Sequence, residues 1–287
     1  MKATVIIDNI TQNDLIAEWG LAIHIEYNGH SILLDTGASD SFADNASALG
    51  IDLADVEAAF LSHAHYDHAN GMAKFFEKNS KATFYVGNSA AENCYHGFGP
   101  EARYIGMPKG IFEQYPDRII NAKEVQEVFP GLTLVGHRKA FLSKKGIELG
   151  LLGIKADMYV CENADDSEET DDGLCWRPDS FDHEQSLVFE TEKGLVIFNC
   201  CCHGGADNVV MEVSDLYPDQ KIYAIIGGFH LFETPDDEVI AFAQRLKETG
   251  VEKVITGHCT GERACELLAQ ELGDMVETLY TGKVMEF

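Results

Sequence analysis

The chain has 287 residues, of which 45% are hydrophobic and 10% aromatic, enough apolar side chains for a substantial core. Its 21 Lys and Arg and 48 Asp and Glu give a formal charge of −27, which argues against binding to nucleic acid or anionic membranes. The N-terminus lacks the apolar region of a signal peptide, and no stretch approaches the roughly 20 apolar residues of a membrane span. These features predict a globular, cytoplasmic protein.

The first third of the chain predicts a hairpin followed by alternating helices and strands. Residues 21–27 and 31–34 are apolar runs around an Asn28-Gly29 pair, which is typical of a hairpin turn. The following segments predict a helix over 39–49, a strand over 57–61, a helix start at 69–76 and a strand over 82–86.

The run Ser-His-Ala-His-Tyr-Asp-His at residues 62–68 places metal-ligand residue types at metal-ligand spacing. From the residue frequencies, a His-x-His-x-acid-His match is expected by chance only about 0.003 times in a chain of this length. His63 and His65 point the same way on an extended chain, and Asp67 and His68 follow on the turn before the next helix. Imidazole and carboxylate suit zinc, manganese and iron, so a metal site is favoured over a surface histidine cluster.

The middle of the chain predicts less regular structure. Residues 87–150, rich in Gly, Pro and aromatics, are interpreted as a loop-rich insertion with a short strand over 132–135. Residues 162–178 predict a solvated acidic loop, since 162–172 carry seven acids in eleven residues. A calcium site or a partner-binding patch is the alternative for this loop. The eight cysteines are interpreted as reduced thiols, since Cys200-Cys201-Cys202 are neighbours that cannot pair conventionally.

The last third again alternates strands and helices. Strands are predicted over 186–190, 194–200, 221–226 and 253–256, and helices over 206–213, 236–249 and 261–272. His203, His230 and His258 each follow one of these strands beside glycine, where backbone approaches a ligand closely. Because three histidines share this position, they are interpreted as further metal ligands rather than as isolated structural histidines.

These motifs together resemble the metallo-β-lactamase-fold hydrolase superfamily over nearly the whole chain. The resemblance is carried by His63-x-His65-x-Asp67-His68, Asp35-Thr36-Gly37, His203 and His258. The segments Cys202-His203-Gly204-Gly205, Gly227-Gly228-Phe229-His230-Leu231 and Thr256-Gly257-His258-Cys259-Thr260-Gly261 are similar to the branch labelled dihydropteroate-synthase-like, or pterin-related. Asp182-His183-Glu184-Gln185-Ser186-Leu187 fits the same branch.

The resemblance implies an α/β fold, a four-layer αβ/βα sandwich of two mixed β-sheets flanked by helices, as a single domain over residues 1–287. It implies one metal at His63, His65 and His203, and a second at Asp67, His68 and His258. Zn²⁺ is the first expectation for one or two ions, with Mn²⁺, Fe and Mg²⁺ as alternatives. The bridging aspartate of many members has no clear counterpart, and His230 takes its approximate place.

The expected function is hydrolysis by a metal-activated water at a dinuclear site. The substrate would be a small ester, phosphoester or pterin-like compound. Asp67 would ligate a metal and orient the nucleophile, and Asp35 would hold the other nitrogen of a ligand histidine. His183 and Glu184 are expected to line the substrate pocket or to move protons, with an ordinary polar strand start as the alternative.

Further residues are candidates for substrate contact. Phe229, Tyr95, Phe98 and Trp176 are possible stacking surfaces, and Arg103 and Lys109 could meet a phosphate. The alternatives are a pterin-related synthase or transferase, an iron-dependent redox protein aided by Cys200–Cys202 and Cys259, and a metal-binding module without catalysis. A small-molecule partner is expected, and an oligomer is left open.

Overall fold

The computed structural model describes residues 1–137, 157–160, 168–169 and 175–287. Two seven-stranded sheets pack face to face, and helices cover the outer face of each sheet. The predicted four-layer sandwich of two mixed sheets is therefore confirmed. Within the described residues, no helix has both the length and the apolar character that spanning a bilayer requires.

The first sheet is built mainly from the N-terminal part of the chain. Its strands are β1 (Lys2–Ile7), β2 (Ala22–Tyr27), β3 (His30–Leu34), β4 (Ala58–Phe60), β5 (Thr83–Val86), β8 (Ile119–Asn121) and β19 (Val284–Glu286). Pairing is antiparallel from β19 through β3 and parallel from β3 through β8. The helices of this part are α1 (Ser41–Ala48), α2 (Tyr66–Ala69), α3 (Met72–Lys78) and α4 (Ile111–Gln114).

The second sheet repeats this arrangement. Its strands are β9 (Val125–Phe129), β10 (Leu132–Gly136), β14 (Gln185–Thr191), β15 (Gly194–Phe198), β16 (Ile222–Gly227), β17 (Lys253–Thr256) and β18 (Val276–Thr278). Pairing is antiparallel from β9 through β15 and parallel from β15 through β18. Helices α5 (Ala206–Leu216), α6 (Asp236–Glu248) and α7 (Glu262–Leu272) belong to this part.

A smaller sheet of five strands lies beside the two large ones. It contains β6 (Cys94–His96), β7 (Arg103–Tyr104), β11 (Asp157–Val160), β12 (Glu168–Glu169) and β13 (Cys175–Pro178). The described part of 87–150, interpreted as a loop-rich insertion with a short strand over 132–135, contains short strands separated by loops. Three of these strands, β8, β9 and β10, belong to the two large sheets. Of the predicted acidic loop, 168–169 and 175–178 are strand, and the rest lies outside the described residues.

Alternating side chains explain why the chain forms layers. On β3, Ile32 and Leu34 enter the core between the sheets while Leu33 packs under the helices. On β15, Val196 and Phe198 face that same core and Ile197 faces the helices of the second half. Strands buried on both faces read as continuous apolar runs, which is why the sequence identified them as strands.

Candidate metal centre

The predicted ligands converge at one end of the sandwich, between the two large sheets. The run from His63 to His68 follows β4 of the first sheet, and its last residues form the short helix α2 rather than the expected turn. His203 follows β15 and His258 follows β17 of the second sheet. Parallel strands bring their carboxyl ends to the same edge, so six histidine and aspartate side chains from both halves meet there.

Asp35 fixes the orientation of His63 and His68. Its carboxylate accepts the backbone N–H of Ser62 at 2.7 Å, the Ser62 hydroxyl at 2.7 Å and Nδ1 of His68 at 2.7 Å. Because the Ser62 hydroxyl proton goes to Asp35, its oxygen accepts from Nδ1–H of His63 at 2.9 Å. Both rings therefore carry their proton on Nδ1 and turn an Nε2 lone pair towards the cluster.

Glu184 holds His203 in the same way. Its Oε2 accepts Nδ1–H of His203 at 2.8 Å and the His203 backbone N–H at 3.1 Å, while Oε1 accepts from the Asn199 amide at 3.0 Å. Glu184 is completely buried with both oxygens engaged. The structure thus gives it an orienting position behind a ligand rather than a place in the pocket wall.

Asn9 fixes His258 from a distant part of the chain. The Asn9 amide donates to the carbonyl of His258 at 3.1 Å, so its Oδ1 accepts Nδ1–H of His258 at 2.9 Å. Nε2 of His258 lies 3.1 Å from Nε2 of His68. Burial opposes a charge on His258, but Cys259 and Asp67 outweigh burial and raise the pKa of His258 to about 9. Two ring nitrogens at this separation require a cation between them, either a proton or a metal ion.

The donor atoms fit a divalent metal. The ring nitrogens of His63, His65 and His203 lie within 4.8 Å of one another, and Nε2 of His63 and of His203 is buried without a hydrogen-bond partner. Burial also lowers the pKa of His63 and of His203, which keeps both rings neutral. Two nitrogens on one tetrahedral zinc would be about 3.3 Å apart, close to the His68–His258 separation.

Asp67 and His230 complete the surroundings. Asp67 Oδ2 lies 3.4 Å from Nε2 of His258 and 3.8 Å from Nε2 of His68. Burial opposes its charge, but His68 and His258 outweigh burial and hold the Asp67 pKa well below its usual range. The centre of the His230 ring lies 4.6 Å from that of the His203 ring. One ring nitrogen of His230 and the sulfur atoms of Cys201 and Cys259 lie within 4.8 Å of one another.

Two thiols lie inside the cluster. Cys201 Sγ is 3.3 Å from Nε2 of His68 and 3.4 Å from Cys259 Sγ. The Asn199 side chain accepts the backbone N–H of Cys201 at 3.3 Å and of Cys202 at 2.9 Å, which shapes the turn that carries them. The sequence singled out the triple cysteine run without identifying which thiol faces the histidines.

His183 lies next to the cluster, and its hydrogen bonds direct its ring away from the cluster. Its Nδ1 accepts the backbone N–H of Ala64 at 3.1 Å, so Nε2 carries the proton and donates to Asp179 Oδ2 at 3.1 Å. Cys94 Sγ also lies 3.9 Å from Nε2. The group His65, Cys94, Asp179 and His183 has metal-ligand composition, but this tautomer leaves His183 without a lone pair for a metal. His183 instead supports the backbone between His63 and His65.

The residues expected to contact substrate are dispersed. Phe229 and Trp176 are buried and pack on Phe242 and Tyr95, so the stacking role expected of them was wrong. Phe98 is exposed. Arg103 is exposed on β7, and Lys109 lies over the Tyr104 ring at 4.4 Å.

Five residues around the cluster have left-handed backbone. Asp35, Phe181, Cys202, His230 and His258 have φ of 59°, 52°, 47°, 51° and 49°, and the Phe181 ring stacks on that of His203 at 4.3 Å. Such conformations cost about 1 kcal/mol or more for residues with a side chain. At Gly227, with φ of 143°, a Cβ would collide with the Asn199 carbonyl, so this glycine lets β16 approach the Cys200–Cys202 turn. Strain concentrated at one cluster is characteristic of a functional site.

Comparison with known proteins agrees with this architecture. A sequence model described as the metallo-beta-lactamase superfamily matches residues 20–142. The solved structure of Tm1679, described as a metal-dependent hydrolase of the beta-lactamase superfamily, is 28% identical with a TM-score of 0.80, covering 100% of this chain and 99% of that one. The Zn²⁺-bound PqqB from Methylobacterium extorquens shares the fold at a TM-score of 0.54 and 11% identity, covering 100% of each chain.

Two proteins of Methanocaldococcus jannaschii are similar in sequence. The 7,8-dihydropterin-6-methyl-4-(beta-D-ribofuranosyl)-aminobenzene-5'-phosphate synthase is 27% identical over 276 residues, covering 92% of this chain and 88% of the relative. The uncharacterized protein MJ0448 is 24% identical over 269 residues, covering 93% of each. Sequence, fold and the placement of the histidine cluster agree, and the chain is similar in sequence and in fold to proteins of the metallo-beta-lactamase superfamily.

Proposed function

We propose that the protein is a metal-dependent hydrolase. One divalent ion would be held by His63, His65 and His203, and a second by Asp67, His68 and His258. The observation that carries the proposal is the convergence of four Nε2 atoms, from His63, His68, His203 and His258, whose Nδ1 atoms are all engaged by other groups. A bound divalent ion supplies a Lewis acid that acidifies water and polarises the bond under attack.

The surrounding side chains would hold the reactants in place. Asp67 stays ionised, and its side chain keeps 11% exposure, against 7% or less for the side chains of His65, His68, His203 and His258. It is therefore placed to accept a hydrogen bond from the attacking water and to orient it. Asp35, Glu184 and Asn9 hold the imidazoles in the tautomer that binds metal, so little reorganisation is needed during the reaction.

The test of hydrolysis uses purified protein stripped with chelator and reloaded with zinc, manganese or iron(II). A panel of phosphoesters, carboxylic esters and lactones is incubated with each form in ¹⁸O-labelled water. We expect turnover only in a metal-loaded form, with one labelled oxygen in the product. Absence of turnover in every loaded form, or turnover that survives metal removal, contradicts the proposal.

A second candidate is a synthase that joins a dihydropterin-6-methyl group to an aromatic amine. It is supported by the 27% identity to the methanogen synthase over most of both chains. The same side chains would then hold ions that assist departure of the leaving group, and an amine would replace water as the nucleophile. A dihydropterin-6-methyl phosphate ester incubated with and without an aminobenzene acceptor distinguishes the two, because only the synthase forms a new C–N bond.

An exposed aromatic pair beside the metal ligands favours a planar aromatic substrate. Trp19 and Phe232 are each 42% exposed, although residues of this kind are usually buried, and their rings meet edge to face at 5.5 Å. The Trp19 ring lies 5.4 Å from His258, and the Phe232 ring lies 5.3 Å from His230. Neither residue had been predicted, since both lie in irregular segments without a motif.

Substitution of Trp19 or Phe232 by alanine is therefore expected to weaken binding of a pterin by about tenfold, since stacking of one aromatic ring contributes about 1–3 kcal/mol. Quenching of tryptophan fluorescence by an oxidised pterin measures the affinity of the wild type and of F232A, and equilibrium dialysis measures that of W19A. Phe98→Ala, which removes a slightly more exposed ring, is the control and should bind normally. Unchanged affinity in both variants would exclude this surface from substrate binding.

A further inference from the structure

We propose that Cys201 is a metal ligand, a thiolate that lies between the two sets of proposed ligands. This inference rests on the metal site of the proposed function but not on the reaction. The thiol would release its proton to solvent when it binds the metal.

The position of the sulfur carries the inference. The donor atoms of His63, His68 and Cys201 all lie within 4.8 Å of one another, so this sulfur is close to one ligand from each set. Its 3.3 Å separation from Nε2 of His68 is close to the spacing of about 3.6 Å expected for sulfur and nitrogen on one tetrahedral zinc. Cys201 is 2% exposed, so solvent does not compete for the sulfur.

The neighbouring thiols are placed differently. Cys200 clusters with Asp35 and His68 on the side where His68 donates its Nδ1 proton, behind the ligand atoms. Cys202 lies 3.8 Å from the Asn199 carbonyl and packs in the core under the helices of the second half. Cys259 is 3.4 Å from Cys201 but accepts the His230 backbone N–H at 3.3 Å. Cys201 is thus the thiol of the triple run that faces the histidines.

A thiolate at this position has two chemical consequences. Sulfur is a soft ligand, which favours Zn²⁺ or Fe²⁺ over Mg²⁺ and Mn²⁺ at this site. Cys201 and Asp67 would together contribute two negative charges against the four positive charges of two divalent ions. The centre would remain positive overall, which suits an anionic group such as a phosphate.

The experiment measures metal–sulfur bonding directly. Zinc-loaded protein is examined by X-ray absorption, and cobalt(II)-substituted protein by near-ultraviolet absorption, in the wild type, Cys201→Ala, Cys202→Ala and Cys259→Ala. We expect a Zn–S distance of about 2.3 Å and thiolate-to-cobalt charge transfer in the wild type and the Cys202 and Cys259 variants. Cys201→Ala should lose both signals and bind the second ion at least tenfold more weakly.

Three outcomes would overturn the assignment: only nitrogen and oxygen scatterers in the wild type, sulfur retained in Cys201→Ala, or sulfur lost in Cys259→Ala alone. These measurements involve no substrate. If the protein shows the sulfur signal but hydrolyses no substrate, Cys201 is a metal ligand and the hydrolase proposal is wrong. If the protein hydrolyses a substrate but its metal centre contains no sulfur, the hydrolase proposal holds and the Cys201 assignment is wrong.

Discussion

Replacement of His203 by alanine is expected to lower turnover by about a thousandfold or more, because electrostatic groups at a reacting centre contribute on this scale. The substitution removes one of three nitrogens around the first proposed ion and leaves Glu184 buried without its imidazole. Elemental analysis should show loss of about one metal ion per chain, and steady-state kinetics with the best substrate of the panel should show the loss in kcat.

His24→Ala provides the matched control for this substitution. His24 is a buried histidine of β2 whose Nε2 bonds the Ser31 hydroxyl at 2.9 Å, away from the cluster. Its loss should affect stability without changing the metal content. A His203 variant with full metal content and normal kcat would show that the His63, His65 and His203 group is not a metal site.

Substitution of Asp35 by asparagine is expected to weaken metal binding by about 10- to 100-fold without unfolding the protein. Asparagine tolerates the left-handed backbone found here and can still accept the Ser62 N–H. Its amide nitrogen, however, would face Nδ1–H of His68 and the Ser62 hydroxyl, which now donate to the carboxylate. His68 would move its proton to Nε2 and lose the lone pair directed at His258.

Competition with a zinc-chelating dye measures the affinity of Asp35→Asn, and circular dichroism verifies the fold. Asp207→Asn is the control, because Asp207 is also buried and its carboxylate bonds Arg245 at 2.8 Å in the second half of the protein. It should lose some stability and keep its zinc affinity. If both variants bind zinc equally well, Asp35 does not determine the histidine tautomers.

The sequence predicted the site residues best where candidate ligands directly follow regular strands. The predicted strand over 253–256 matches β17, and the predicted helix over 236–249 matches α6 within one residue. His203 and His258 were found because each follows such a strand, and the fold that the family resemblance implied is confirmed. The metal roles of these residues stay predictions.

Other features depend on contacts that spacing does not encode. Asn9 reaches His258 across 249 residues of sequence, and Trp19 reaches the same ring from an irregular segment. Cys201 could not be separated from its two neighbours, because only the turn made by Asn199 decides which sulfur faces inward. The role of Glu184 was left open between pocket lining, proton transfer and an ordinary polar strand start, because polarity at a strand start does not reveal which partner engages the side chain. Packing, rather than local pattern, decides these cases.

The two similar halves of the sandwich supply different ligands, and this division has a mechanical consequence. His63, His65, Asp67 and His68 belong to the first half, while His203 and His258 belong to the second. Each proposed ion would thus have ligands from both halves and would link the two halves where the sheets pack together. Metal binding would then stabilise the packing of the two halves against each other. Removal of the ions is therefore expected to weaken the contact between the two sheets before it weakens the hydrogen bonding within either sheet.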